Sequence, residues 1–292
     1  MNMWLVGAGY WGSKLLNDLK KFDVDAQVID IRNGQTIDDI DTLDPVMLAT
    51  PLWQHHEQAI ALLKRGHDVY VEKPMAETLS QVLDVGACVQ PGKLLMVGHI
   101  FVYHPQMSEV KSIIASGAIG NLIHISSRRL HWGIYQTKTD PLLSLATHDI
   151  SIVIELAGEV SAVNRAEAWN YSNNVQNDRV WFAGNCNNVT FDIDVSWHWP
   201  VRTRQTIIIG SQGQINWNQD SNTITVTKNL VTNSRAIADA EPLFIEYSSE
   251  ITPLEAELKH WVDCVNTRSH PATGIESAKS VARVIDATKQ LL

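Results

Sequence analysis

The stretch Met3-Trp4-Leu5-Val6-Gly7-Ala8-Gly9-Tyr10-Trp11-Gly12 constrains the fold more than any other part of the chain. Its short apolar run is the pattern of a buried strand, and it opens directly into Gly7-x-Gly9-x-x-Gly12. An amphipathic helix is expected over residues 11–21, with Leu15, Leu16 and Leu19 on one face. In such a strand–turn–helix, Gly7 permits the tight turn, Gly9 lets the backbone approach a pyrophosphate, and Gly12 lets helix and strand pack closely. The helix N-terminus then offers its unpaired N–H groups to the phosphates. Three glycines alone also fit an ordinary strand-to-helix turn, so the second strand matters. That run, Ala26-Gln27-Val28-Ile29, ends in Asp30, 23 residues after Gly7, where a carboxylate can accept hydrogen bonds from a ribose.

Further apolar runs at 46–49, 68–71 and 94–97 alternate with helices expected over 53–64 and 80–89. This alternation implies parallel β-α-β units and a doubly wound sheet. Only residues 31–45 separate the second strand from the third, which leaves little room for a full helix. Ligands of such sheets bind at the carboxyl ends of the strands. The glycine loop, Thr50-Pro51, Glu72-Lys73-Pro74 and Gly98-His99 all fall there.

A helix over 105–115 ends near Gly117, and the pattern then changes. Residues 122–130 read as a strand, residues 142–156 as a helix containing His148, and strands dominate from 160 onward. Residues 189–199 alternate throughout, so Val189, Phe191, Ile193, Val195, Trp197 and Trp199 are expected to be buried. Thr190, Asp192, Asp194, Ser196 and His198 are then solvated or set against a second subunit. Residues 204–209 and 214–217 form a hairpin around Gly210–Gly213, and Thr252-Pro253-Leu254-Glu255 is a capping box that starts a helix. A last helix is expected over 276–291. The architecture read from this is α/β: an N-terminal Rossmann domain with a doubly wound parallel sheet over 1–119, then an α+β domain with a largely antiparallel open sheet over 120–292. The final helix is free to pack back on the first domain.

Charge and cysteine usage narrow the partners. A net charge of −9 argues against nucleic-acid or anionic-membrane surfaces. No apolar run reaches the ~18 residues of a membrane span, and the first residues form a strand rather than a signal peptide. Cys88, Cys186 and Cys264 are scattered, as expected of reduced thiols in a cytoplasmic protein. The pair His55-His56 lacks the carboxylate or cysteine spacing of a metal site, so no metal is expected.

Several phrases, in order, resemble the Gfo/Idh/MocA oxidoreductases: the glycine loop, Ala49-Thr50-Pro51 with His55, Tyr70-Val71-Glu72-Lys73-Pro74-Met75-Ala76, and Val97-Gly98-His99 with Pro105. Ser116-Gly117-Ala118-Ile119-Gly120, Thr147-His148-Asp149-Ile150-Ser151 and Gly210-Ser211-Gln212-Gly213 continue the match. The resemblance implies NAD(P)-dependent oxidation or reduction of a sugar, cyclitol or nucleotide sugar, and a homodimer or homotetramer. It maps the family's motif lysine to Lys73 and its motif histidine to His148, both catalytic. A histidine exchanges protons near neutral pH, and an ammonium donates to the reacting oxygen. Many members carry an aspartate four residues before that histidine; here Ser144 stands in its place, as in nucleotide-sugar branches, which this chain resembles most.

The expected cofactor contacts are Gly7, Ala8, Gly9, Tyr10, Trp11, Gly12, Asp30, Arg32, Thr50, Pro51, His55, Glu72 and Lys73. Asp30 favours NAD over NADP, with Arg32 softening the preference. Candidate substrate contacts are His99, Tyr103, Arg128, His131, Trp132 and Ser144, with Arg129 beside them. Two other functions fit the same residues: an NAD-dependent glycoside-cleaving enzyme of this fold, and a dinucleotide-binding protein without turnover.

Overall fold

A computed structural model describes residues 1–133, 135, 138–172, 177–221, 223–232, 235–238, 241–246 and 250–292. The chain begins β1 (Asn2–Val6), α1 (Tyr10–Leu19), β2 (Asp25–Ile29), β3 (Val46–Leu48), α2 (Leu52–Lys64), β4 (Val69–Val71), α3 (Leu79–Ala87) and β5 (Leu95–Val97). These strands form one parallel sheet in the order β2-β1-β3-β4-β5. Between β2 and β3 there are only two short 3-10 turns, Ile31–Asn33 and Ile37–Asp39, in keeping with the limited length there. Strand residues alternate between the two faces. Trp4, Val6, Leu48, Val71 and Val97 join one core, while Met3, Leu5, Met47, Tyr70 and Met96 join the other with Leu15 and Leu19 of α1.

The chain continues with α4 (Pro105–Ala115), β6 (Leu122–Trp132), a π-helical turn at Leu142–Ala146 running into α5 (Thr147–Ala157), β7 (Ala162–Trp169), β8 (Arg179–Cys186) and β9 (Val189–Ser196). Then come β10 (His198–Gly210), β11 (Gly213–Asn218), β12 (Thr223–Thr232), β13 (Arg235–Ala238) and β14 (Leu243–Glu246). They build a nine-stranded sheet in the order β13-β12-β11-β10-β6-β9-β8-β7, with β14 paired to β12. Its pairings are antiparallel except β6–β9, which is parallel. The β10–β11 hairpin turns where the glycine pair places it.

The expected strand over 189–199 is corrected at both its end and its polar face. It stops at Ser196, and Trp199 belongs to β10. Asp194 and Ser196 are buried rather than solvated, because Arg179 pairs with Asp194 (Nη2–Oδ2 2.7 Å) and Ser196 Oγ donates to Asp178 O (3.0 Å). Alternation reveals two faces but not which polar side chains find partners.

The last helices are α6 (Pro253–Thr267), opened by the expected capping box at Thr252, and α7 (Ile275–Lys289). The chain divides into two compact units: Met1–His104 with Ile251–Arg283, and Pro105–Glu250 with Val284–Leu292. The division therefore differs from the 119/120 boundary read from the sequence. In the second unit, Gln106 of α4 is buried and accepts from Trp217 Nε1 (2.8 Å), which ties α4 to the sheet. In the first, α6 places Leu258, Trp261 and Val262 in the core beside Tyr70 and Leu15. Trp261 is fully buried, and truncating such a side chain costs about 3–5 kcal/mol.

Candidate active site

In the first unit the site is assembled from the carboxyl ends of β1, β3, β4 and β5. Gly7 has φ +98°, and a Cβ there would lie 2.7 Å from Ala49 O. A Cβ at Gly12 would lie 1.9 Å from Gly7 O, so α1 crosses directly over the loop. At Gly9, by contrast, a Cβ meets no protein atom within 4 Å, and Gly9 caps α1 without a side-chain hydrogen bond. The loop thus presents open backbone and a helix N-terminus together, which fits a dinucleotide pyrophosphate. Tyr10 beside it is exposed, with Lys14 Nζ 4.4 Å from its ring centroid.

Asp30 lies at the end of β2, where the ribose carboxylate is expected. Its oxygens accept from Arg32 N (3.0 Å), Nε (3.0 Å) and Nη2 (2.6 Å), and Arg32 Nη2 also donates to Ala8 O (3.1 Å). The Arg32 hydrogen bonds hold the Asp30 carboxyl below its usual range. Thr50 is buried, with Oγ1 donating to Gln58 (2.7 Å), and Pro51 caps α2.

Two expected contacts have structural partners instead. His55 is buried with Nδ1 2.8 Å from Pro74 O and Nε2 2.8 Å from Thr50 O, so it ties the end of β3 to the loop after β4. Both ring nitrogens face backbone carbonyl oxygens, of which the neutral ring donates to one, so the ring is turned to the backbone rather than to the cofactor. Tyr103 hydrogen-bonds Thr273 Oγ1 (2.8 Å), accepts from Thr273 N (3.2 Å), and packs half-buried on His260 at 4.9 Å, so its hydroxyl has a structural partner.

Glu72 and Lys73 leave β4 next to the glycine loop. Burial raises the Glu72 carboxyl to about 7, against the Trp11 indole, the Lys73 charge and the Tyr70 hydroxyl, which lower it. His99, at the end of β5, is 1% exposed, and neither ring nitrogen has a hydrogen-bond partner among the described residues. Burial first, and the Lys73 charge second, push its pKa down to about 3. His99 is therefore a neutral imidazole in the field of Lys73, able to donate at one nitrogen and accept at the other.

In the second unit, α5 carries His148. The neighbouring Asp149 is fully buried and accepts from Ser127 Oγ (2.8 Å), Arg129 Nε (2.8 Å) and Arg129 Nη2 (3.1 Å). This fork fixes α5 against β6, and it engages the acid nearest in sequence to His148. Ser144 lies on the π-helical turn and brings no charge of its own. Arg129 is thus a structural ion pair rather than a phosphate clamp. Arg128 and Trp132 alternate with it, both exposed, and Trp132 meets His198 edge-on at 4.5 Å. Burial and three neighbouring arginines, 204, 202 and 129, lower the His131 pKa. The β6 candidates therefore do not converge on one point: Arg129 reaches α5, while Arg128 and Trp132 alternate to the other face of the strand. Among the described residues no group of three or more histidines, cysteines, aspartates and glutamates is arranged to hold a metal ion.

Comparison with known families decides the lineage. A family profile described as an oxidoreductase family with an NAD-binding Rossmann fold matches residues 19–99, and the C-terminal domain profile of the same family matches 107–216. The chain belongs to the Gfo/Idh/MocA family. Among Gfo/Idh/MocA relatives, 2,7-anhydro-N-acetylneuraminate hydratase of Mediterraneibacter gnavus is 31% identical over 146 residues, 44% of this chain and 39% of that one. The chain spans no more than half the length of the first curated relatives it matches. Levoglucosan dehydrogenase, solved with NADH and levoglucosan, superposes with a TM-score of 0.82 at 19% identity, covering 100% of this chain and 96% of that one. UDP-N-acetylglucosamine 3-dehydrogenase of Acidithiobacillus ferrooxidans gives 0.85 at 15% identity, covering 100% and 97%. At these identities the superpositions establish the Gfo/Idh/MocA fold.

One buried acid beside Tyr70 escaped the reading of the sequence. Glu257 of α6 is fully buried, with Oε2 3.0 Å from Tyr70 Oη. The signal was present: Glu257 stands three residues after Leu254 and four before Trp261, an acid on the apolar face of its helix.

Proposed function

We propose that this chain is an NAD-dependent oxidoreductase that exchanges a hydride with a carbon bearing a hydroxyl or keto group on a sugar, cyclitol or nucleotide sugar. The observation that carries this reading is the sheet edge of the first unit. There an open glycine cradle, the motif lysine Lys73 and a buried neutral His99 share the carboxyl ends of neighbouring strands. Bound NAD supplies the hydride acceptor. The loop 7–12 and the N-terminus of α1 hold its pyrophosphate, and Asp30 takes the ribose. Lys73 donates to the reacting oxygen and stabilises negative charge there. His148 exchanges the hydroxyl proton at an imidazole nitrogen, without a carboxylate at position 144 to favour its charged form.

The names of the relatives support a sugar-like substrate, since a levoglucosan dehydrogenase, a nucleotide-sugar dehydrogenase and inositol 2-dehydrogenases are among them. A second reading rests on the hydratase, whose named reaction has no net hydride transfer. We further place the chain in the cytoplasm as a homodimer or homotetramer joined through the open face of the second sheet. No helix among the described residues is long and apolar enough to cross a membrane, and the three cysteines are free.

The test is a screen of cyclitols, sugar acids, anhydro sugars and nucleotide sugars, following nicotinamide absorbance and substrate loss together. On the substrate found, Lys73→Met and His148→Ala are expected to lower kcat by roughly two to four orders of magnitude while NAD affinity changes little. Substrate loss without net absorbance change selects the hydratase-like reading. Near-full activity in both variants refutes the catalytic assignment, whereas NAD binding with no turnover of any compound in the screen favours a binding protein.

A further inference from the structure

The first unit buries two carboxyl groups around one hydroxyl. Tyr70 Oη lies 3.0 Å from Glu72 Oε1 and 3.0 Å from Glu257 Oε2, and all three residues are buried. A phenol has one hydrogen to donate. It satisfies one of these contacts; the other joins two oxygens and is attractive only where the carboxyl itself carries a proton. Two bare carboxylates in this position would leave an uncompensated buried charge.

The surroundings say which carboxyl holds the proton. Glu72 faces donors and a cation: the backbone N–H of Lys73 reaches its Oε2 (3.3 Å), and the Trp11 indole and the Lys73 ammonium lie near enough to favour its anion. Glu257 has none of these. Its Oε1 has no hydrogen-bond partner among the described residues; burial and the Glu72 charge disfavour its anion, against the Tyr70 hydroxyl alone, and Tyr103 feels its charge without offering a donor. From the side of β5, Gly98 closes the trio; a Cβ there would lie 2.5 Å from Tyr70 Oη and 3.3 Å from Glu72 Oε1. His99, next in the chain, is neutral in the field of Lys73.

We infer that Glu257 is a positioning residue for Lys73: it donates a proton to Tyr70 Oη, Tyr70 donates to Glu72, and the single negative charge of the trio rests on Glu72 beside Lys73. The direction of both hydrogen bonds is then fixed, and Lys73 is kept as an ammonium by a counter-charge that does not touch the substrate. Burial raises Glu257 well above the ordinary carboxylate range and Glu72 to about 7. As pH falls through that value, Glu72 is protonated as well, the trio becomes neutral, and Lys73 loses its counter-charge.

The functional half of this inference rests on the proposed role of Lys73; the proton itself does not, so two measurements separate them. Infrared difference spectra of the full chain in D2O at about pH 9, well above the value at which Glu72 ionises, are expected to show a protonated-carboxyl carbonyl band that Glu257→Gln removes and Glu72→Gln keeps. Absence of that band, or its loss in Glu72→Gln with retention in Glu257→Gln, overturns the assignment whether or not a substrate is known. On an active substrate, Tyr70→Phe deletes the donor to Glu72 and is expected to raise the midpoint of the acid limb of kcat by about one pH unit. Gly98→Ala crowds the same hydroxyl without removing an ionisable group, and is expected to move the midpoint in the same direction. In Glu257→Gln the amide still donates to Tyr70, so the midpoint stays with the parent enzyme. An acid limb indifferent to Tyr70→Phe and Gly98→Ala, in variants whose circular dichroism matches the parent, refutes the positioning role.

Discussion

Two glycines three residues apart are expected to respond to alanine in opposite ways. Position 12 is inside α1, where helix propensity alone favours alanine over glycine by about 1 kcal/mol. The structure reverses that sign. The new methyl would lie 1.9 Å from Gly7 O and 3.0 Å from Gly7 C, both backbone atoms that cannot swing aside. To reach ordinary contact α1 must lift from β1, withdrawing Leu15 and Leu19 from the core they fill completely. Overpacking of this kind costs about 1–3 kcal/mol, and a clash with backbone belongs at the upper end, so a net loss of ~2 kcal/mol remains after the propensity gain of about 1 kcal/mol. At about 2–4 °C per kcal/mol, Gly12→Ala is expected to lower Tm by roughly 4–8 °C. Gly9→Ala meets no protein atom and forfeits less than about 1 kcal/mol as a helix cap. Its Tm should move little, while its methyl occupies the backbone surface offered to the pyrophosphate, so NAD affinity should fall at least about tenfold. Differential scanning fluorimetry with and without NAD, and titration of NADH fluorescence, read both effects. A stabilised Gly12→Ala refutes the close packing of α1 on the loop, and a Gly9→Ala protein that binds NAD normally refutes the placement of the cofactor over it.

Asp149→Asn strands the buried Arg129 guanidinium and is expected to destabilise the second unit by about 3–5 kcal/mol by urea unfolding; the double change Arg129→Met with Asp149→Leu should recover much of that loss. Arg32→Ala releases Asp30 for the ribose and removes a cation suited to a 2′-phosphate, so the ratio of NADH to NADPH affinity should rise several-fold in paired fluorescence titrations. Asp68 accepts from Arg268 Nη2 (2.9 Å) and Leu94 N (2.9 Å); burial opposes its ionisation, but these partners prevail and its pKa is lowered. A depressed carboxylate stabilises the fold above its unfolded pKa of about 3.9 and loses that contribution as pH falls through the folded value. Asp68→Asn should therefore lower Tm at pH 7, and the gap from the parent should close below about pH 4.

Local signals carried the reading as far as local physics reaches. The strand–glycine–helix opening, the alternating elements of the first unit, the hairpin at Gly210–Gly213 and the capping box at Thr252 each lie within a few residues of their cause. The places of Lys73 and His99 just past β4 and β5 were legible because the short apolar runs before them mark where those strands stop. His55, Tyr103 and Arg129 were not, because each has a partner far along the chain: Pro74, Thr273 and Asp149. A polar residue of the right type at a strand end looks the same whether its atoms meet a substrate or a distant backbone. The pairing of Tyr70 with Glu257, 187 residues apart, belongs to the same class.

The first unit is discontinuous, with residues 105–250 inserted between the sheet and the helices that cover it. On the ribosome, the five parallel strands are complete while Leu258, Trp261 and Ala282 have yet to be made. At a synthesis rate of about 5–20 residues per second, the half-built unit waits on the order of 10 s with part of both apolar faces uncovered. The inserted unit, by contrast, has its whole sheet available before α6 emerges. Nascent chains halted before α6 are therefore expected to hold the cofactor-binding unit as the client of chaperones and open to protease, while the second sheet is already complete.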